Sequence, residues 1–256
     1  MNKILKIVLG FSLLLTCVSP AFGQSRTIPP TKPNPTITVR IHDYVHVPPE
    51  IMARAQGVTS EILREAGVEV VWLDCNMAVP VEKRQPACAQ PLGPLDFVMN
   101  LVDRIQLLSP KLREIAMGLA MVPPDGGEGY LAYLSTHQAA SIAHEYSSTL
   151  EIVLGLGAAH EIGHLLLGEN AHTRSGLMKA RWGANELKQG SHGNLSFTPE
   201  QSNRIQSNLL VREEEASQSM IAVQIGNSTG PRIKSSSSTR SNRRRRGSVH
   251  KSRCSV

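Results

Sequence analysis

Residues 160–178 read HEIGHLLLGENAHTRSGLM. Placed on a helix, His160 and His164 stand one turn apart on the same side. Two imidazole nitrogens so arranged can reach one zinc ion at about 2.0–2.1 Å. Glu161, beside the first histidine, can project its carboxylate toward the same cavity and act as a general base without being a ligand. Gly168 lets the chain leave the helix, His172 offers a third nitrogen beyond it, and Ser175, Gly176, Leu177 and Met178 form a tight turn. Three neutral histidines would leave the full metal charge to act on a water, lowering its pKa toward about 7. The competing reading is a buried apolar helix in which HExxH occurs by chance, as short motifs do.

The residues leading into this stretch predict its helix. Ser148 with Glu151 three positions on is a capping-box pattern, and Leu150, Val153, Leu154, Ala158, Leu165 and Leu166 supply a buried face. Gly155, Gly157 and Gly163 each weaken an isolated helix by roughly 1 kcal/mol relative to alanine, so close packing on a sheet is expected to compensate. Further upstream, TITVRIHDYVHV (36–47) alternates as a half-buried strand. Residues 49–67 carry an apolar stripe that starts at Pro49 and ends at Gly67, a helix. VEVVWLDC (68–75), LDFVMNLVDR (95–104), GLAMV (118–122) and GYLAYLS (129–135) read as strands, and SPKLREIAMG (109–118) as a short helix. The last strand is either the cleft edge, open to an added peptide, or an ordinary interior strand. After the histidines, Thr198 as cap, Pro199 in the first turn and a stripe of Ile205, Leu209 and Leu210 predict a closing helix. The expected fold class is α/β (α+β): one domain with a mixed twisted sheet, a site helix and a closing C-terminal helix.

The two ends differ from this body. Residues 1–23 combine Lys3 and Lys6, an apolar run and a small-x-small ending, the pattern of a secretory signal peptide. No later stretch approaches the roughly 20 apolar residues of a membrane span, so an exported, periplasmic or extracellular protein is expected. Residues 24–35 form a proline-rich lead-in, 36–212 the domain, and 213–256 a linker and disordered basic Ser/Arg-rich tail. The formal charge is +6, but residues 228–256 hold nine Lys/Arg and no acid, and the leader two Lys. The body, 24–227, is therefore acidic, with 16 basic against 21 acidic residues. Such a tail suits an anionic polymer or surface, or is simply solvated. In an oxidising compartment Cys75 and Cys88 are natural disulfide partners, leaving Cys254 over.

HExxH followed by glycine, histidine and an SGLM turn resembles the metzincin metallopeptidases. That resemblance implies a single catalytic domain, one zinc ion on His160, His164 and His172, and Glu161 as general base. It implies Met178 as the Met-turn residue beneath the metal, and peptide or protein as substrate. The spacing departs from the family pattern: Gly168 lies four and His172 eight residues after His164, where the pattern has three and six. Glu169 and Glu186 are rival third ligands, since carboxylates also bind zinc. The expected activity is exported zinc-dependent peptide-bond hydrolysis. The alternative is a non-catalytic exported metal- or peptide-binding module, held on anionic surfaces by its basic tail.

Overall fold

The computed structural model describes residues 33–76, 85–123, 129–168, 171–228 and 250–254. The expected signal peptide, most of the proline-rich lead-in and most of the basic tail lie outside the described residues, as does Glu169.

The chain alternates as the hydrophobic periods dictate. β1 (Thr36–Asp43) leads to α1 (Pro49–Glu65) and then to β2 (Glu69–Asp74), which lies parallel to β1. β3 (Asp96–Val102) pairs parallel on the other side of β1, and β5 (Leu131–Ser135) parallel to β3. β4 (Gly118–Val122) is antiparallel to β5, and a short strand, β6 (His250–Cys254), is antiparallel to β4. The order is β2-β1-β3-β5-β4-β6, a mixed sheet as expected. β5 is thus interior, which settles the two readings of GYLAYLS against the edge. The short α2 (Pro110–Arg113) precedes β4, and α3 (Thr136–Glu145), α4 (Leu150–Leu167), α5 (Ala184–Ser191) and α6 (Pro199–Ser228) follow β5.

α4 is the hub. It touches α1, α3, α5 and α6 as well as β4 and β5. By length and composition it could cross a membrane, contrary to the expectation that no such stretch follows the leader, but 83% of it is buried inside this fold. Burial of that apolar surface, at about 25 cal/mol per Å2, accounts for its composition. Its glycines allow close approach, yet only Gly157 faces the sheet side, against Met117 and Leu134. A Cβ at Gly155 would come 2.6 Å from Val58 of α1 and 2.7 Å from the Ala55 carbonyl. There Thr59 Oγ1 donates to the Gly155 carbonyl at 2.9 Å and stitches the two helices together.

Several local expectations are corrected. The capping box at Ser148 does not form: the helix starts one residue later, Thr149 is the N-cap without a side-chain bond, and Ser148 Oγ is buried. Glu151 instead meets Arg54 of α1 at 3.3 Å. β1 is covered on both faces rather than half-buried. Arg40 is buried, with Nη2 2.5 Å from Asp96 and Nη1 donating to the Gln90 carbonyl at 2.6 Å. That strut holds the segment beyond the disulfide, which joins Cys75 to Cys88 as expected. In α6, Ile205 and Leu209 are buried but Leu210 is 41% exposed. Arg212 takes the buried place, donating to the Leu165 carbonyl at 2.7 Å. α6 runs on to Ser228, past the expected end of the domain at 212.

Candidate metal centre

The C-terminal half of α4 carries His160, Glu161 and His164 into the core; the histidines are 1% exposed and the glutamate 0%. α4 ends at Gly168, whose N–H bonds the His164 carbonyl at 2.9 Å. Gly168 has φ +79° and ψ −158°, a region that essentially only glycine occupies and distinct from the left-handed helical conformation. The chain then returns so that His172 faces the other two. The Nε2 atoms of His160 and His164 are 3.1 Å apart, as are those of His164 and His172. Three ligand atoms lie within 4.8 Å of one another, the group of three with metal-holding geometry found among the described residues.

The donors suit zinc. Nitrogens on a tetrahedral ion at about 2.0–2.1 Å stand roughly 3.3 Å apart, close to the spacing seen. His160 Nδ1 lies 2.8 Å from the Leu177 carbonyl, which can only accept, so this nitrogen carries the proton and Nε2 presents its lone pair. Trp182 Nε1 donates to the same carbonyl at 3.0 Å, and its ring meets His160 edge-on at 5.4 Å. Trp182, itself buried in the core, therefore also braces the carbonyl that orients His160, in the manner of an outer partner of a metal ligand. Burial, the largest cause, lowers His160 to about 3 and His164 to about 2. His172 is also lowered by burial, from a half-buried position. All three are thus neutral at pH 7, the form that binds metal.

Glu161 packs against β4. A Cβ at Gly118 of β4 would overlap its carboxylate, so the strand has room there only because residue 118 is glycine. Both carboxylate oxygens are buried without a well-formed hydrogen bond, and burial raises the pKa well above the usual carboxylate value. The Ala120 amide offsets part of that rise. A neutral buried carboxyl becomes a base once a neighbouring positive charge favours its ionised form.

Met178 is buried against Gly163, where a Cβ would come 2.6 Å from its Sδ and 2.7 Å from Phe197. The turn before it is closed by Thr173 N–H to the Met178 carbonyl at 2.9 Å. Of the rival ligands, Glu186 is committed elsewhere: Oε1 is 2.6 Å from Lys179 Nζ and Oε2 accepts from the Gly183 amide at 2.8 Å. The sequence did not reveal Gly118, or Trp182 as a brace. For Gly118 a signal existed, since glycine in an apolar strand marks close approach by another group.

No protein-family model and no curated protein sequence matches the chain. Among solved structures it is similar to the crystal structure of archaemetzincin from Methanopyrus kandleri, at 20% identity and a TM-score of 0.42, covering 68% of this chain and 96% of that one. The likeness is distant, and the functional reading rests on the residues of this chain.

Proposed function

We propose that the chain is an exported zinc-dependent endopeptidase. The observation that carries this reading is the convergence of three imidazole nitrogens, with Glu161 next in sequence to His160 and its buried carboxylate accommodated by Gly118. His160, His164 and His172 would hold the ion. Zinc bound there supplies a Lewis acid that polarises a carbonyl and acidifies water. Glu161, ionised beside that charge, takes a proton from the attacking water on a carboxylate oxygen and delivers it to the leaving amine. Its dry surroundings strengthen every electrostatic interaction in the site. The HExxH, glycine, histidine and SGLM order, with its resemblance to metzincins, supports the same reading.

Glu161→Gln keeps the shape and removes the base. Cleavage of an unfolded protein such as casein should fall about 10²–10⁴-fold while zinc remains stoichiometric. Full activity in that variant would end the mechanism. The complete burial of Glu161 favours a second reading, a non-catalytic exported metal-binding module. Stoichiometric zinc with no cleavage of any unfolded protein would select it. The basic segment 228–256 would, in either case, bind anionic surfaces, and salt-sensitive retention lost on its deletion is the check.

A further inference from the structure

The loop from His164 to His172 is two residues longer than the pattern it resembles, so helix geometry does not by itself fix the third ligand. A side chain from α6 reaches into that gap. Gln201, 8% exposed, lies in the first turn of α6. Its Nε2 donates to the Ala171 carbonyl at 3.2 Å and to Thr173 Oγ1 at 3.4 Å, the two neighbours of His172 in the chain. Thr173 is itself tied into the turn, its hydroxyl donating to the Ser175 carbonyl at 2.8 Å.

The other end of the same carboxamide has a different task. Gln201 Oε1 accepts from the Thr198 amide at 3.0 Å, while Thr198 Oγ1 accepts from the Gln201 amide at 3.3 Å. That is a reciprocal capping box. The orientation of the amide follows from its partners: a backbone N–H can only donate, so the oxygen faces it, and a carbonyl can only accept, so the nitrogen faces the loop. Thr173 Oγ1 spends its proton on Ser175 and is left to accept from Gln201.

We propose that Gln201 is the positioning residue of the third ligand: its amide nitrogen holds the backbone on both sides of His172, setting the imidazole against the helix-borne pair. α6, expected only to close the fold, is then part of the metal site. This rests on the metal-binding half of the proposed function and not on peptide hydrolysis.

The two ends of the side chain can be separated in the full-length protein. Gln201→Glu keeps an oxygen to accept from Thr198 and replaces the donor that holds the loop. Thr198→Ala removes a cap partner and keeps the donor. Zinc affinity, measured by competition with a chelator, should fall about 10–100-fold in Gln201→Glu, the range for outer partners of metal ligands. The visible spectrum of its Co2+ form should shift toward that of His172→Ala. Thr198→Ala should melt a few degrees lower and bind zinc as the parent does. Should Gln201→Glu not fold, Gln201→Met set against Thr198→Ala isolates the anchor, since both weaken the cap and only the former loses the loop. Parental zinc affinity and Co2+ spectrum in the Gln201 variants would overturn the proposal, as would an equal loss of affinity in Thr198→Ala. A parent protein that binds no zinc would overturn the metal reading and this inference with it, whereas zinc binding without peptide cleavage would leave it standing.

Discussion

The two halves of the candidate metal centre are built differently. His160 and His164 sit on a helix that is buried through its last four turns, and their relation follows from four residues of helical rise. His172 is half-buried on a loop, and side-chain hydrogen bonds from another helix set its place. Helix-borne ligands are preorganised by the same bonds that make the fold. The loop ligand depends on contacts that can be removed one at a time.

The largest test of that contrast removes ligands. His164→Ala leaves His160 with only the loop histidine, whereas His172→Ala leaves the preorganised pair. Zinc affinity should fall in both, more than the about 10–100-fold expected when an outer partner is lost, and further in His164→Ala. Equal losses, read by chelator competition, would mean the loop is as rigid as the helix.

Acid titration of the metal-stripped protein comes next. His160 and His164 have native pKa values of about 3 and about 2 against 6.5 unfolded. Below pH 6.5 the unfolded chain therefore binds more protons, and stability falls as pH falls. Each buried histidine contributes up to about 1.4 kcal/mol per pH unit until its native pKa is reached. Glu161, raised by burial, acts with the opposite sign and lowers stability as pH rises above 4.5. Chemical denaturation should therefore show the steepest acid loss between about pH 4.5 and 3. His164→Ala should remove about half of that slope, and His172→Ala much less. A flat profile would mean the histidines stay solvated.

The smallest expected effects come from two glycines, one on each side of the contrast. Gly118→Ala forces a Cβ into the Glu161 carboxylate, an overpacking cost of about 1–3 kcal/mol. Gly168→Ala meets no neighbour but strains φ +79°, ψ −158°, costing about 1–3 kcal/mol. Melting curves should show similar losses, yet zinc affinity should drop only in Gly168→Ala, where the helix turns toward His172. Unchanged zinc affinity there would detach the loop from Gly168.

Much of this was legible because it is local. The period of Ile51, Ala55, Ile62 and Leu63 marked α1, and the alternation of Ile37, Val39 and Ile41 marked β1. Pro49 and Gly67 bounded a helix in the manner read from them. Where readings failed, a distant partner had intervened. Glu151 looked like a capping residue until Arg54 of α1 engaged it, and Arg40 looked solvent-facing until Asp96 met it on β3. Leu210 completed an apolar stripe in sequence, but Arg212 occupies the buried position in space.

By itself the sequence determined the two histidines one helical turn apart, the glutamate between them, the glycine that ends their helix and the disulfide pair. Each depends on spacings of a few residues, or on cysteines close enough in the chain to meet. Only the tertiary structure decided that Gly118 opens a place for Glu161, that the Leu177 carbonyl and Trp182 orient His160, and that Gln201 reaches Ala171 and Thr173, the neighbours of His172, across 30 and 28 residues of chain. Such contacts join segments whose separation in sequence carries no period, so packing alone brings them together.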